Sequence, residues 1–312
     1  MAKETEKKSM GFFDIIKNLF WLLIFLQFAP LILSNLKTMV EDAFTPKTQI
    51  GQLNITGLIS DSNYYVKNIQ KFLQDSNIKA LLLKVDSPGG FPGIAQNVFM
   101  EINKFKEKKP VVAFVENMGI SGAYNIAAAA NHIIASPSSL IGSIGVWLQV
   151  PPNVKHLAQD WKIKFVDIHS GEYKTAGSPF KDMTSAEQKH LQNVSDDSYD
   201  QFVKDIATSR NLSVKNQKEW AEGKVFTGNQ ALKLKLIDQI GSFQDAVDEI
   251  KKEAMIDGEI KLVQPKRISN LMKLFGAQDE SDSEIGFSSF VATTVSEVAE
   301  KLQSNFGYIR FR

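Results

Sequence analysis

Val111-Val112-Ala113-Phe114-Val115, then Gly119-Ile120-Ser121-Gly122-Ala123-Tyr124, then Ala127-Ala128-Ala129-Ala130: the stretch from Val111 to Ala130 decides the reading of the fold. β-Branched and aromatic residues give way, across a turn that contains glycine, to a run of the strongest helix former, so a strand feeds directly into a helix. A serine on such a turn can be presented as a nucleophile. Upstream, Leu81-Leu82-Leu83-Lys84-Val85 reads as a buried strand and Asp86-Ser87-Pro88-Gly89-Gly90 as the turn that follows it. Downstream lie Gly142-Ser143-Ile144-Gly145-Val146 and, later, Glu172-Tyr173-Lys174.

Outward from these segments, strand-like and helical runs alternate, which is the pattern of an α/β domain. Strands are predicted over Ile50–Ile59, Ala80–Val85, Val111–Val115, His132–Ala135, Gly145–Gln149 and Lys164–Ile168. Helices are predicted over Ser62–Gln74, Gly93–Lys108, Ser121–Ala130, Asn153–Trp161 and Ser185–Ser209. In the last of these Leu191, Val194, Ser198, Phe202 and Ile206 make one stripe, which serves core packing or a subunit contact. Val225-Phe226-Thr227-Gly228, a helix over Asn229–Leu236 and a final amphipathic helix over Phe243–Met255 close the domain.

The amino end carries a different signal. Leu19 to Leu36 is uncharged and nearly continuously apolar, long enough to cross a hydrocarbon core of about 30 Å. Lys3, Lys7, Lys8 and Lys17 precede it, which sets the amino terminus in the cytoplasm. Small residues in a cleavage pattern do not follow, so it is read as an uncleaved anchor, the alternatives being a buried core helix or an interfacial helix bearing Phe12, Phe13, Ile15 and Ile16. The expected division is a cytoplasmic segment over 1–18, a transmembrane anchor over 19–36, a linker over 37–47, a catalytic domain over 48–263 and a partly mobile tail over 264–312.

Composition excludes several chemistries. Thirty-six basic residues against 35 acidic ones leave a net charge of +1, so no overall basic field favours nucleic acid. Cysteine is absent, which removes disulfides, thiolate metal sites and cysteine nucleophiles. The four histidines, His132, His156, His169 and His190, fall in no metal-ligand spacing. No cofactor or metal is expected.

Covalent hydrolysis of a peptide bond needs a nucleophile, a proton acceptor and donors aimed at the developing oxyanion. Ser121 is the candidate nucleophile, and the glycines of Pro88-Gly89-Gly90, with Gly122, are candidates for exposed amides. A lysine can replace histidine as the base, provided an apolar site strips the proton that an amine with pKa near 10.4 holds in water. Lys174 lies in a suitably uncharged stretch. Each segment also has a plainer use, Ser121 as a helix cap and the two glycine motifs as turns.

Order and spacing taken together resemble the signal peptide peptidase A family of membrane-anchored serine peptidases, over about Ile50 to Ile250. The resemblance rests on Asp86-Ser87-Pro88-Gly89-Gly90, Ser121-Gly122-Ala123-Tyr124, Gly142-Ser143-Ile144-Gly145-Val146 and Ser170-Gly171-Glu172-Tyr173-Lys174-Thr175-Ala176-Gly177-Ser178-Pro179. It implies Ser121 as nucleophile, Lys174 as base, Gly90 in the oxyanion hole and Ser143 as the hydroxyl that orients the lysine. It also implies an α/β fold of the Clp-protease and crotonase type, built of stacked ββα units. Further implications are remnant signal peptides or other apolar, unfolded peptides as substrates at the bacterial cytoplasmic membrane, and homo-oligomers whose sites borrow the lysine from a neighbour. The sequence departs from the family pattern at Ala123, where a second glycine is usual, and at Asn125, near a position commonly aromatic or apolar. Both changes bear on substrate preference. The rival readings are a crotonase-like acyl-CoA enzyme and a non-catalytic membrane scaffold that binds peptides.

Overall fold

The computed structural model describes residues 19–27, residue 30 and residues 47–265. Residues 19–27 are helical, and among the described residues no helix is long and apolar enough to cross a membrane. The rest of the expected anchor, almost all of the linker and the tail beyond residue 265 lie outside the described residues.

The chain runs β1 (Thr48–Ile59), α1 (Asn63–Gln74), β2 (Ile78–Gly90), α2 (Pro92–Lys106), β3 (Val111–Ile120), α3 (Gly122–Ala128), β4 (His132–Ala135) and β5 (Leu140–Gly142). It continues through α4 (Lys155–Asp160), α5 (Ser185–Arg210), α6 (Gln217–Trp220), β6 (Val225–Thr227), α7 (Gly228–Lys233), β7 (Gln239–Ile240), α8 (Phe243–Glu253) and β8 (Ile260–Val263). This is an α/β fold on one mainly parallel sheet, ordered β6-β5-β3-β2-β1-β8, with β4 pairing both β3 and β7. Among the described residues only the β5–β6 pair is antiparallel.

Both faces of the central strands are covered, which is why they read as continuous apolar runs. Leu81, Leu83 and Val85 of β2, with Val111, Ala113 and Val115 of β3, pack under α1, α2, α3 and α5. Their alternates Ala80, Leu82, Val112 and Phe114 face the opposite way, onto Ala246, Val247 and Ile250 of α8. Each leucine, valine, isoleucine or phenylalanine among them contributes roughly 1.5–3 kcal/mol by leaving water.

β3 is shared between two partners. Its first half pairs β4, from Val112 opposite His132 to Val115 opposite Ala135, and its last residues pair β5, Ile120 opposite Gly142. Where the ladder splits, the buried Ser139 donates its hydroxyl toward the carbonyls of Val115 and Glu116, at 3.1 and 2.7 Å. Carbonyls that leave the sheet are thereby kept from going unsatisfied.

Three expectations are corrected. Asp86–Gly90 is not a turn, because β2 runs extended through it, with irregular register between Val85 and Ser87. Gly145–Gln149 and Lys164–Ile168 form no strand. Their β-favouring side chains have no sheet edge to join and stand in solvent, Trp147 at 82% and Ile168 at 96% exposure. The third sheet neighbour is instead the short β5, and β8 adds an edge that no sequence pattern announced.

Candidate active site

Parallel strands collect their carboxyl ends on one side, where open α/β sheets bind ligands. Here Ile59 pairs Gly90, Ser87 pairs Gly119 and Ile120 pairs Gly142, so the three glycine-bearing segments singled out in the sequence meet at one end of the sheet.

Ser121 sits between β3 and α3 with φ 54° and ψ −130°. That conformation costs a non-glycine residue about 1–3 kcal/mol and persists only where the surroundings enforce it. The enforcing bonds are explicit. Its N–H donates to the Gly142 carbonyl at 2.7 Å, and its carbonyl accepts from the N–H groups of Tyr124 and Asn125 at 2.9 and 3.0 Å. Helix α3 is itself pinned by the fully buried Tyr124, whose hydroxyl donates to the Leu236 carbonyl at 2.7 Å. Burial pushes that phenol well above its ordinary pKa, so it stays a neutral donor.

The end of β2 is folded tightly against this turn. Gly89 has φ +96°, and a Cβ there would lie 2.8 Å from the Gly122 nitrogen and 2.9 Å from Ser121 Cβ. On Gly90 a Cβ would fall 2.0 Å from the Ile59 carbonyl oxygen. Glycine is the residue that both places accept. The buried Ser87 holds the segment in place, donating to the Gly57 carbonyl at 2.6 Å and accepting from the Gly89 N–H at 3.0 Å. Gly90 and Gly122 are consequently neighbours: a Cβ on Gly122 would stand 3.4 Å from the Gly90 nitrogen.

A small cleft opens beside Ser121, walled by Gly90, Pro92, Ala95, Gln96, Gly122, Asn125, Gly145, Val146, Ser198 and Phe202. Four of the five residues expected at the site belong to this corner, Ser121, Gly90 and Gly122 in its wall and Ser143 just after the Gly142 that accepts from Ser121. Ser143 also has a left-handed backbone, φ 51°, and its N–H donates to the Lys224 carbonyl at 2.7 Å. The walls from α2 and α5 were not legible in the sequence, since Ala95, Gln96 and Ser198 look like ordinary helix positions.

Lys174 is not among the residues that line the cleft. It is exposed, on a series of turns between α4 and α5, with its N–H donating to the Gly171 carbonyl at 3.1 Å. Neighbouring Tyr173 lies against the His190 ring of α5 at 4.9 Å. The whole span from Val146 to Met183 is an arm of little regular structure, with Trp147, Trp161, Val166 and Ile168 more than two-thirds exposed.

Comparison with known proteins gives this geometry a family. The model of peptidase family S49 matches residues 103–257, a span that includes Ser121, Ser143 and Lys174. A candidate protease of Synechocystis sp. is 38% identical over 201 residues, 64% of this chain and 72% of its own length. Another from Methanocaldococcus jannaschii is 35% identical over 196 residues, 63% of each chain. A candidate signal peptide peptidase SppA of Enterococcus faecium is 33% identical over 231 residues, 70% of this chain and 66% of that one. The chain thus spans between about three-fifths and three-quarters of these relatives' lengths. With that identity and a strained serine where the family's motif expects one, the chain belongs to peptidase family S49, the serine-type peptidases of signal peptide peptidase A.

Proposed function

We propose that this chain is a membrane-anchored serine endopeptidase with a Ser121–Lys174 dyad. The observation that carries the reading is the positive-φ backbone of Ser121 in the wall of a cleft, packed against Gly89 and sharing that wall with Gly90 and Gly122. Ser121 Oγ adds to the scissile carbonyl and passes its proton to the Lys174 amine. The carbonyl oxygen, now negative, is held by the N–H groups of Gly90 and Gly122. Collapse of the adduct breaks the C–N bond, the leaving amine takes the proton from the lysine, and water repeats the cycle on the acyl-enzyme. Ser143 orients the lysine amine through its hydroxyl. Helix α3 has only seven residues, so the adjacent amides, more than a long helix dipole, stabilise the oxyanion.

Lys174 comes from a neighbouring copy. Its exposure and its absence from the cleft's lining support this, as do the apolar side chains along its arm, which a second protomer would cover. The branching of β3 between two ladders supports placing the fold with the Clp-protease and crotonase type. The peptidase domain over 48–263 is tethered by residues 19–36, the amino terminus being cytoplasmic. Along the described part of that segment Leu19, Phe20, Trp21, Leu22, Leu23, Phe25 and Leu26 are all more than half exposed, as a lipid-facing helix requires. The substrates are remnant signal peptides and other apolar or unfolded peptides at the bacterial cytoplasmic membrane. Tethering concentrates the enzyme where these lie.

Complementation tests the dyad and its sharing together. Ser121→Ala and Lys174→Ala should each lower kcat/KM on an apolar peptide by roughly a thousandfold or more. Assembled from a mixture of the two, the protein should recover a measurable fraction of activity, because some sites then hold an intact serine beside an intact lysine. Full activity in either single variant contradicts the dyad; an inactive mixture of co-assembled protomers contradicts sharing.

A further inference from the structure

One side chain in the cleft wall has no role in that mechanism and no partner in the fold. Asn125 lies one helical turn beyond Ser121 on α3, is 3% exposed, and neither its amide nitrogen nor its amide oxygen makes a hydrogen bond. A carboxamide offers two donors and an acceptor oxygen, and leaving such groups unmet in the interior destabilises a protein. A leucine of similar size would avoid that cost. The amide borders the space beside the nucleophile, in a cleft lined also by Ala95, Val146 and Phe202 and by the polar Gln96 and Ser198. Ser198 on α5 already donates its hydroxyl to the Val194 carbonyl at 3.0 Å.

The carbonyl carbon attacked by Ser121 is one bond from the α-carbon that bears the substrate's side chain on the acyl side. That side chain therefore enters the cleft walled by Ser121, Gly90 and Asn125. We infer that Asn125 is a specificity residue, and that it selects a small acyl-side residue able to exchange hydrogen bonds with its amide, serine, threonine or asparagine, over an apolar residue of the same size. The inference rests on Ser121 being the nucleophile. With the polar substrate the buried amide is satisfied; with an apolar isostere it stays unpaired, and discrimination follows from that difference.

Peptides identical except at the acyl-side residue test it on the full chain. Threonine should be cleaved about 10- to 100-fold faster than valine in kcat/KM, and asparagine than leucine, the range given by one unpaired buried amide. In Asn125→Leu the order should reverse or level. Should that variant not fold, the wild-type threonine-to-valine ratio decides alone. A wild-type ratio of one or less, or an unchanged ratio in Asn125→Leu, overturns the role of Asn125. A fluorophosphonate probe separates the two failures: an adduct on Ser121 with indifferent side-chain preference sinks only the specificity assignment. No adduct on Ser121 and no cleavage of any peptide sinks the nucleophile and this inference with it.

Discussion

Ser121 combines a strained backbone with a position at the end of the sheet, and the two are separable by mutation. Glycine adopts φ 54°, ψ −130° without the penalty a side chain incurs, so Ser121→Gly should be as stable as the wild type or more so, by up to about 2 kcal/mol, while losing peptidase activity. Urea unfolding checks this, and destabilisation beyond about 1 kcal/mol would contradict the strain. Much at this scale was legible in the sequence: Gly90, Ser121, Gly122 and Ser143 were marked by their motifs and meet at one corner. The clamp by Ser87 was hidden inside the Ser-Pro-Gly-Gly motif, because its hydroxyl bonds across to Gly57 on another strand. The orphaned amide of Asn125 was likewise beyond reach, since a departure from a pattern can be read from sequence but the absence of a partner cannot.

At the scale of elements, local patterns predicted what local physics controls. β4 is His132–Ala135 as expected, and α5 begins at Ser185, where Thr184 and Glu187 form a capping box. The Glu187 carboxylate accepts from the Thr184 N–H at 2.9 Å and is paired with Lys181, and the lysine first, then the Thr184 amide, holds its pKa below the ordinary 4.5. A depressed acid stabilises the fold above its unfolded pKa and ceases to do so as pH falls through the folded value. Glu187→Gln keeps a capping acceptor but not the charge. The stability gap between wild type and this variant should thus be present at neutral pH and shrink below about pH 4.5, as thermal unfolding across that range would reveal. A gap that is constant with pH would contradict the pairing. The failures were non-local: a strand needs an edge, and Gly145–Gln149 and Lys164–Ile168 have strand composition without one in this chain.

At the scale of the whole molecule, the exposed arm and the half-formed site are one problem. The strand ends bring Ser121, Gly90 and Gly122 together in a single chain, whereas Lys174, the proposed base, lies on an arm whose apolar side chains are exposed. On the proposed reading a second copy would resolve both, covering Trp147, Trp161 and Val166 while delivering Lys174. The motif singles out Lys174 as the candidate base, yet its absence from the lining of its own chain's cleft follows only from how the arm leaves the sheet after β5. The central claim is that Ser121 attacks because Lys174 takes its proton, and mass-spectrometric mapping of a fluorophosphonate adduct tests it most directly. The account predicts a single adduct on Ser121 in the assembled wild type and its loss in Lys174→Ala; an adduct on another residue, or equal labelling of Ser121 without the lysine, would contradict it.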